Sequence, residues 1–228
     1  MPEFNPPLNP DNHQQRCACV LVLDHSGSME GEAITRLNDA LRAFPALLAS
    51  DLLLAKRVEL AVVGFPPPQV LQHFCSATSF MPPVLRAAGT TPLGAAVKLG
   101  YQLIDERKQM YRAGRLEYFR PLLITITDGV PDDGDDWRGA AAMLRDAEAN
   151  KKVSSFAIGV PGADFKVLNQ FSERPAAQLV GLNFAGLFEW LTSTLHAISA
   201  SQTHTGGDPT MKVPLPEPPQ KTFTWDSY

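Results

Sequence analysis

The sequence has little of what a membrane protein, a disulfide scaffold or a nucleic-acid binder requires. No apolar stretch approaches the ~20 residues of a spanning helix, and mean hydropathy is -0.10. Residues 1–16 are polar and proline-rich, without the basic-then-apolar profile of a signal peptide. Cysteine is scarce. There are 3 in 228 residues, an odd count that excludes a fully paired framework and fits a reducing, cytoplasmic location. Positive charge is also scarce: the formal net charge is -4, and the longest basic run is Lys151-Lys152. General attraction to nucleic acid or to an anionic membrane is therefore not expected.

What is present is a globular composition, 44% hydrophobic, in a chain long enough for one domain of roughly 200 residues. Short apolar runs at 17–23, 57–65, 121–127 and 153–160 alternate with longer segments of helical period. That pattern predicts an α/β, Rossmann-like, doubly wound fold with a mostly parallel central sheet and helices on both faces. A weaker run at 69–76 is expected as the one antiparallel edge strand, and 178–180 as a further short strand. Ala33, Leu37, Ala40, Leu41, Phe44 and Leu48 mark one buried helical face, with a kink expected at Pro45. Leu93 to Ile104 and Phe184 to Ile198 repeat the period. Cys17 and Cys19 fall on one strand face and are read as packing residues. The expected organisation is an extension at 1–16, a domain at 17–201 and a proline-rich tail at 202–228. The tail, with prolines at 214–219 and then Phe223 and Trp225, either docks on a partner protein, lies on its own domain or is disordered.

One turn carries chemistry. Asp24-His25-Ser26-Gly27-Ser28 places a carboxylate and two hydroxyls directly after an apolar run. Alone it is equally a helix cap. Two distant stretches change that balance: Gly89-Thr90-Thr91-Pro92 opens a helical segment, and Thr127-Asp128-Gly129 ends another apolar run. In an open parallel sheet, ligands bind outside the carboxyl ends of the strands, where these oxygens would converge. Hydroxyls and carboxylates are hard ligands, favouring Mg²⁺, with Mn²⁺ or Ca²⁺ as alternatives, over Zn²⁺.

Asp24-x-Ser26-x-Ser28, Thr91 and Asp128 together resemble the metal-ion-dependent adhesion site of von Willebrand factor A domains, over about residues 17–201. The resemblance implies that Ser26, Ser28 and Thr91 hold the ion, that Asp24 and Asp128 act largely through water, and that a partner's Asp or Glu completes the shell. Thr90 could substitute by a one-residue shift, but the family pattern favours Thr91. Ser28-Met29-x-Gly31-Glu32-Ala33-Ile34, Gly89 to Ala96, Thr127 to Asp132 and Phe156 to Asp164 further resemble the TerY-like bacterial subfamily, linked to tellurite resistance and stress response. That likeness implies an adaptor beside a Ser/Thr kinase and a PPM-type phosphatase.

Other groups carry plainer readings. The mutual repulsion of Asp132, Asp133, Asp135 and Asp136 could be relieved by a second cation or a basic partner, but a cap by Asp135 or Asp136 on the helix containing Ala140, Leu144 and Ala147 is preferred. His25 is not needed by an oxygen site. Asp105, Glu106, Arg107 and Lys108 read as a solvated helical face, Met29 as packing, and Pro66-Pro67-Pro68 as a rigid strand exit. Catalysis is not expected. A phosphoaspartate enzyme would want an acid two positions after Asp24, where Ser26 stands, and Ser26 lacks a nucleophile elbow. Metal-dependent phosphoryl transfer remains the alternative, as does a kinase substrate regulated through its tail.

Overall fold

The computed structural model describes residues 6–201 and 222–225. Its strands are β1 (Cys17–Asp24), β2 (Val58–Phe65), β3 (Gln69–Ser76), β4 (Leu122–Thr127), β5 (Ser154–Gly159), β6 (Ala177–Leu179) and β7 (Phe223–Trp225). They form one sheet in the order β3-β2-β1-β4-β5-β6-β7. Pairing is parallel from β2 through β6, while β3 runs antiparallel to β2 as expected. A second antiparallel edge, β7 on β6, comes from the tail. Three residues are too few to show a period in sequence. The proline run at 214–219 lies outside the described residues.

Helices α1 (Glu32–Ala49), α2 (Leu52–Arg57), α3 (Leu93–Ala113), α4 (Trp137–Ala149), α5 (Phe165–Leu168) and α6 (Phe184–Ala200) cover both faces. The period-two alternation of β1 separates the two cores. Cys17, Cys19, Leu21 and Leu23 pack in one cluster with Leu37, Phe44 and Leu48 of α1 and Leu187, Phe188 and Leu191 of α6. Ala18, Val20 and Val22 pack in the other with Ala96, Val97 and Ile104 of α3 and Ala140 and Leu144 of α4. The two cysteines are therefore core residues, free and buried. Burial pushes the Cys17 thiol up to about 12. Gly100 lets α3 approach the sheet, since a Cβ there would stand 2.8 Å from Val22 Cγ2. Helix α1 continues through Pro45 to Ala49. Met29 is fully buried, as expected, and Pro66 to Pro68 make the turn joining β2 to β3.

One expectation fails at the amino end of the sheet. Arg107 and Lys108 are buried, 2% and 1% exposed, and not part of a solvated face. Helix period explains the error: both lie within the α3 stripe that also buries Leu103, Ile104 and Tyr111, and the sheet supplies partners. Arg107 Nε lies 2.8 Å from Glu59 Oε2, Arg16 Nε lies 3.4 Å from Glu59 Oε1, and the Tyr111 hydroxyl donates to the same carboxylate. Lys108 Nζ donates to the Lys152 carbonyl at 3.2 Å. Burial opposes the charge of Arg107, but the hydrogen bond and charge of Glu59 outweigh it, so its pKa rises. Asp105 and Glu106, expected on the same solvated face, are half-exposed, accepting from Gln109 and Gln102 on their own helix.

Candidate metal centre

The chain leaves β1 toward β2 on one side of the sheet, whereas β4 lies on its other side. This reversal puts the ends of β1 and β4 at the switch point where open α/β sheets form a crevice. Asp24 is the last residue of β1, and Asp128 directly follows β4.

Asp24 is fully buried. Its Oδ1 accepts from the Ser26 N–H at 2.8 Å and its Oδ2 from the Thr127 hydroxyl at 2.6 Å. Burial pushes its pKa up, the hydrogen bonds from Thr127 and Ser26 oppose the rise, and the charge of Asp128 adds to it. Asp128 is half-buried, and its Oδ1 is buried with no hydrogen-bond partner. Ser26 is buried and Ser28 exposed, with their hydroxyl oxygens 2.9 Å apart. Asp24, Ser26 and Ser28 thus share one turn, with Asp128 at the neighbouring strand end.

Thr91 reaches the same end through backbone bonds between loops. The Gly27 N–H donates to the Gly89 carbonyl at 3.0 Å, and the Ala88 N–H donates to the His25 carbonyl at 2.9 Å. Thr91 is 7% exposed whereas Thr90 is exposed. The His25 ring is occupied elsewhere, its Nδ1 lying 3.2 Å from the Arg86 carbonyl oxygen.

The acidic loop is a positioning device, and only partly the one expected. Asp136 caps α4, accepting from the Gly139 N–H at 3.1 Å, and pairs with Lys98 at 2.6 Å. Asp135 instead caps α3, accepting from the Gly94 N–H at 2.6 Å and the Ala95 N–H at 3.3 Å. Asp132 accepts from the Thr91 N–H at 2.7 Å and returns its own N–H to the Thr91 carbonyl at 3.1 Å. The carboxylates of Asp132, Asp135 and Asp136 are thus engaged at helix starts and at Thr91. Proximity in sequence pointed to α4, because the crossing of the loop to α3 is a tertiary fact.

Thr127 is a site residue that sequence reasoning missed. Fully buried, it donates to Asp24 and accepts from the Gly129 N–H at 2.9 Å. Its signal was its place between the apolar run and Asp128. Gly129 adopts φ 73°, a left-handed turn that favours glycine, and a Cβ there would stand 2.9 Å from Leu168 Cγ.

These residues fit a hard divalent cation. Among the described residues no group of three His, Cys, Asp or Glu could hold a metal, so any ion here depends on hydroxyl oxygens as well as the two carboxylates. The orphaned Asp128 oxygen and the burial of Asp24 mark a place where positive charge is wanted.

The family model for the von Willebrand factor type A domain matches residues 76–185, a span containing Thr91 and Asp128. The pilus adhesin SpaC from Lactobacillus rhamnosus GG, in its open conformation, shares 14% identity at TM-score 0.62, over 82% of this chain and 31% of that one. The vWF domain of the type V pili tip protein Mfa5 from Porphyromonas gingivalis shares 12% identity at TM-score 0.56, over 85% of this chain and 99% of that one. Together they support a von Willebrand factor A domain. Proximal thread matrix protein 1 from the mussel byssus has the same kind of fold, with 16% identity and TM-score 0.53 over 81% of this chain and 48% of that one. This chain thus spans about a third of SpaC but the full length of the Mfa5 von Willebrand factor domain. No curated protein sequence matches it. In this von Willebrand factor A fold, among the described residues, no helix is long and apolar enough to cross a membrane.

Proposed function

We propose that the chain is a metal-dependent protein-binding module. Ser26, Ser28 and Thr91 would hold a divalent cation through their hydroxyls, and Asp24 and Asp128 largely through water. Mg²⁺ is the expected ion, with Mn²⁺ or Ca²⁺ as substitutes. When bound, such a cation supplies a Lewis-acidic position for a carboxylate from a partner protein. The observation that carries this reading is the pair of strand-end carboxylates, Asp24 held by two neutral donors and Asp128 with a buried oxygen that has no hydrogen-bond partner among the described residues.

The chain's own residues divide the work. Thr127 and the Ser26 N–H orient Asp24, and Asp132 fixes the backbone of Thr91. In these contacts the carboxylates of Asp24 and Asp132 are engaged by backbone and hydroxyl donors rather than free to act as a general base, which favours recognition over turnover. Affinity capture from the native cell in Mg²⁺, in EDTA and with Asp128→Ala tests the reading. Partners should be retained only by the wild-type chain in Mg²⁺, and equal retention in all three would sink it. Hydrolysis of a phosphate ester dependent on Asp24 would favour the phosphoryl-transfer alternative.

The finer assignment is a TerY-like adaptor working in the cytoplasm beside a Ser/Thr kinase and a PPM-type phosphatase, with 17–201 as the binding domain. The motif resemblance at 28–34, 89–96, 127–132 and 156–164 supports it. Purified kinase and phosphatase should each be tested for Mg²⁺-dependent binding, and binding by neither would remove the adaptor role.

A further inference from the structure

A groove of ≈ 480 Å³ opens beside the candidate cation site and shares Ser28 and Asp128 with it. Its apolar lining includes Val130, Pro161 and Leu182. Val130 is 59% exposed and stands with Pro161 and Leu182 in the lining of the groove. Its rim carries Glu30 and Glu32, and the lining contains no Lys, Arg or His. Glu32 is paired with Arg36 at 2.7 Å. Glu30 is exposed and has no ion-pair partner among the described residues.

The charges constrain what can lie there. One divalent cation balances Asp24 and Asp128, so a partner's carboxylate would add an unbalanced negative charge next to Glu30. A uniformly acidic partner is therefore repelled, and so is an anionic lipid surface or nucleic acid. A segment with a basic side chain close to its acidic one meets complementary charge at both points. The apolar side chains of the same lining favour an aliphatic residue.

We propose that this groove selects partners in which the captured Asp or Glu stands within a residue or two of an aliphatic side chain and a Lys or Arg. The aliphatic side chain packs among Val130, Pro161 and Leu182, and the base pairs with Glu30. This rests on the cation-site reading and names the partner chemistry that the cation alone does not specify.

Three synthetic peptides test it on the full chain in Mg²⁺, with central sequences Asp-Leu-Arg, Asp-Leu-Glu and Asp-Ser-Arg. The first should bind about tenfold more tightly than the second, since rim charges of like sign disfavour a complex. Glu30→Lys should erase or invert that order without removing Mg²⁺ dependence. Val130→Ser should narrow the gap between the first and third peptides. Equal, Mg²⁺-dependent binding of all three overturns the groove inference and leaves the cation reading standing. Binding that survives EDTA or Asp128→Ala overturns the cation reading and the groove with it. If none of the peptides binds while the chain binds Mg²⁺, the assignment to such peptides is overturned.

Discussion

The two ends of the central sheet both bury carboxylates and treat them in opposite ways. At the amino end, Glu59 is 8% exposed and is met by Arg107 at 2.8 Å, by Arg16 at 3.4 Å and by the Tyr111 hydroxyl. At the carboxyl end, Asp24 receives one N–H and one hydroxyl, and a buried Asp128 oxygen receives nothing. A buried charge left unpaired costs several kcal/mol, so the chain closes one end with its own cations. At the other end burial raises the Asp24 pKa, and on the proposed reading a cation from outside supplies the balance. Residue type is the same at both ends. On the proposed reading, what separates a structural carboxylate from a functional one is whether the chain provides the counter-charge.

The largest test falls on the closed end. Glu59→Gln leaves two buried guanidinium groups facing a neutral amide, and should lower unfolding stability by about 3–5 kcal/mol. Urea unfolding measures it, and the loss should be the same in Mg²⁺ and in EDTA. A loss that Mg²⁺ repaired would show that the two ends are coupled rather than independent.

The open end should respond to ion instead. At a Mg²⁺ concentration about 100 times its dissociation constant, a single native-state site stabilises by about 2.7 kcal/mol. Thermal unfolding of the wild-type chain should shift upward accordingly, while Asp128→Ala should melt at one temperature with or without the ion. An equal Mg²⁺ shift in that variant would place the ion elsewhere.

A smaller effect is expected one layer further out. Asp135 caps α3 from the α4 side, and loss of an N-cap costs about 1 kcal/mol. Asp135→Ala should lose that much stability and weaken Mg²⁺ affinity as well, because Thr91 sits just before the helix it caps. Unchanged affinity, read by titration calorimetry, would detach the acidic loop from the site.

Legibility in the sequence divides along the same line between local and tertiary information. Strands buried on both faces read as unbroken apolar runs, so β1, β2, β4 and β5 were visible to within a few residues. Asp24, Ser26 and Ser28 were visible because they follow such a run on one turn. Thr127 had only its place before Asp128 as a signal, and that is weak, since a threonine ending a strand is usually only a strand residue. Arg107 and Lys108 were misread because charge suggested solvent while helical position placed them inward. Their partners, Glu59 and the Lys152 carbonyl, lie 48 and 44 residues away. Charge pattern alone cannot tell a solvated face from a paired interior, whereas the apolar stripe around it can.

The smallest expected effect is also the sharpest discriminator between the ends. The folded-state pKa of Asp24 is raised, so the native chain keeps this proton at a pH where the unfolded chain has released it. Stability from this group therefore falls as pH rises through the folded pKa, and returns on acidification toward the ordinary carboxylate value. Above its folded pKa and without metal, the ionised side chain is a net burden. Asp24→Asn keeps an acceptor for the Ser26 N–H and removes the charge, so in EDTA it should be as stable as wild type or slightly more so. The difference should vanish as the pH drops toward about 4, where the unfolded chain has taken up the proton as well. In Mg²⁺ the order should reverse, because only the wild-type chain retains the carboxylate. Melting curves from about pH 4 to pH 8 in both media decide it. If Asp24→Asn is destabilised equally in EDTA and in Mg²⁺, Asp24 is a structural acceptor like Glu59, and the contrast between the two ends of the sheet fails.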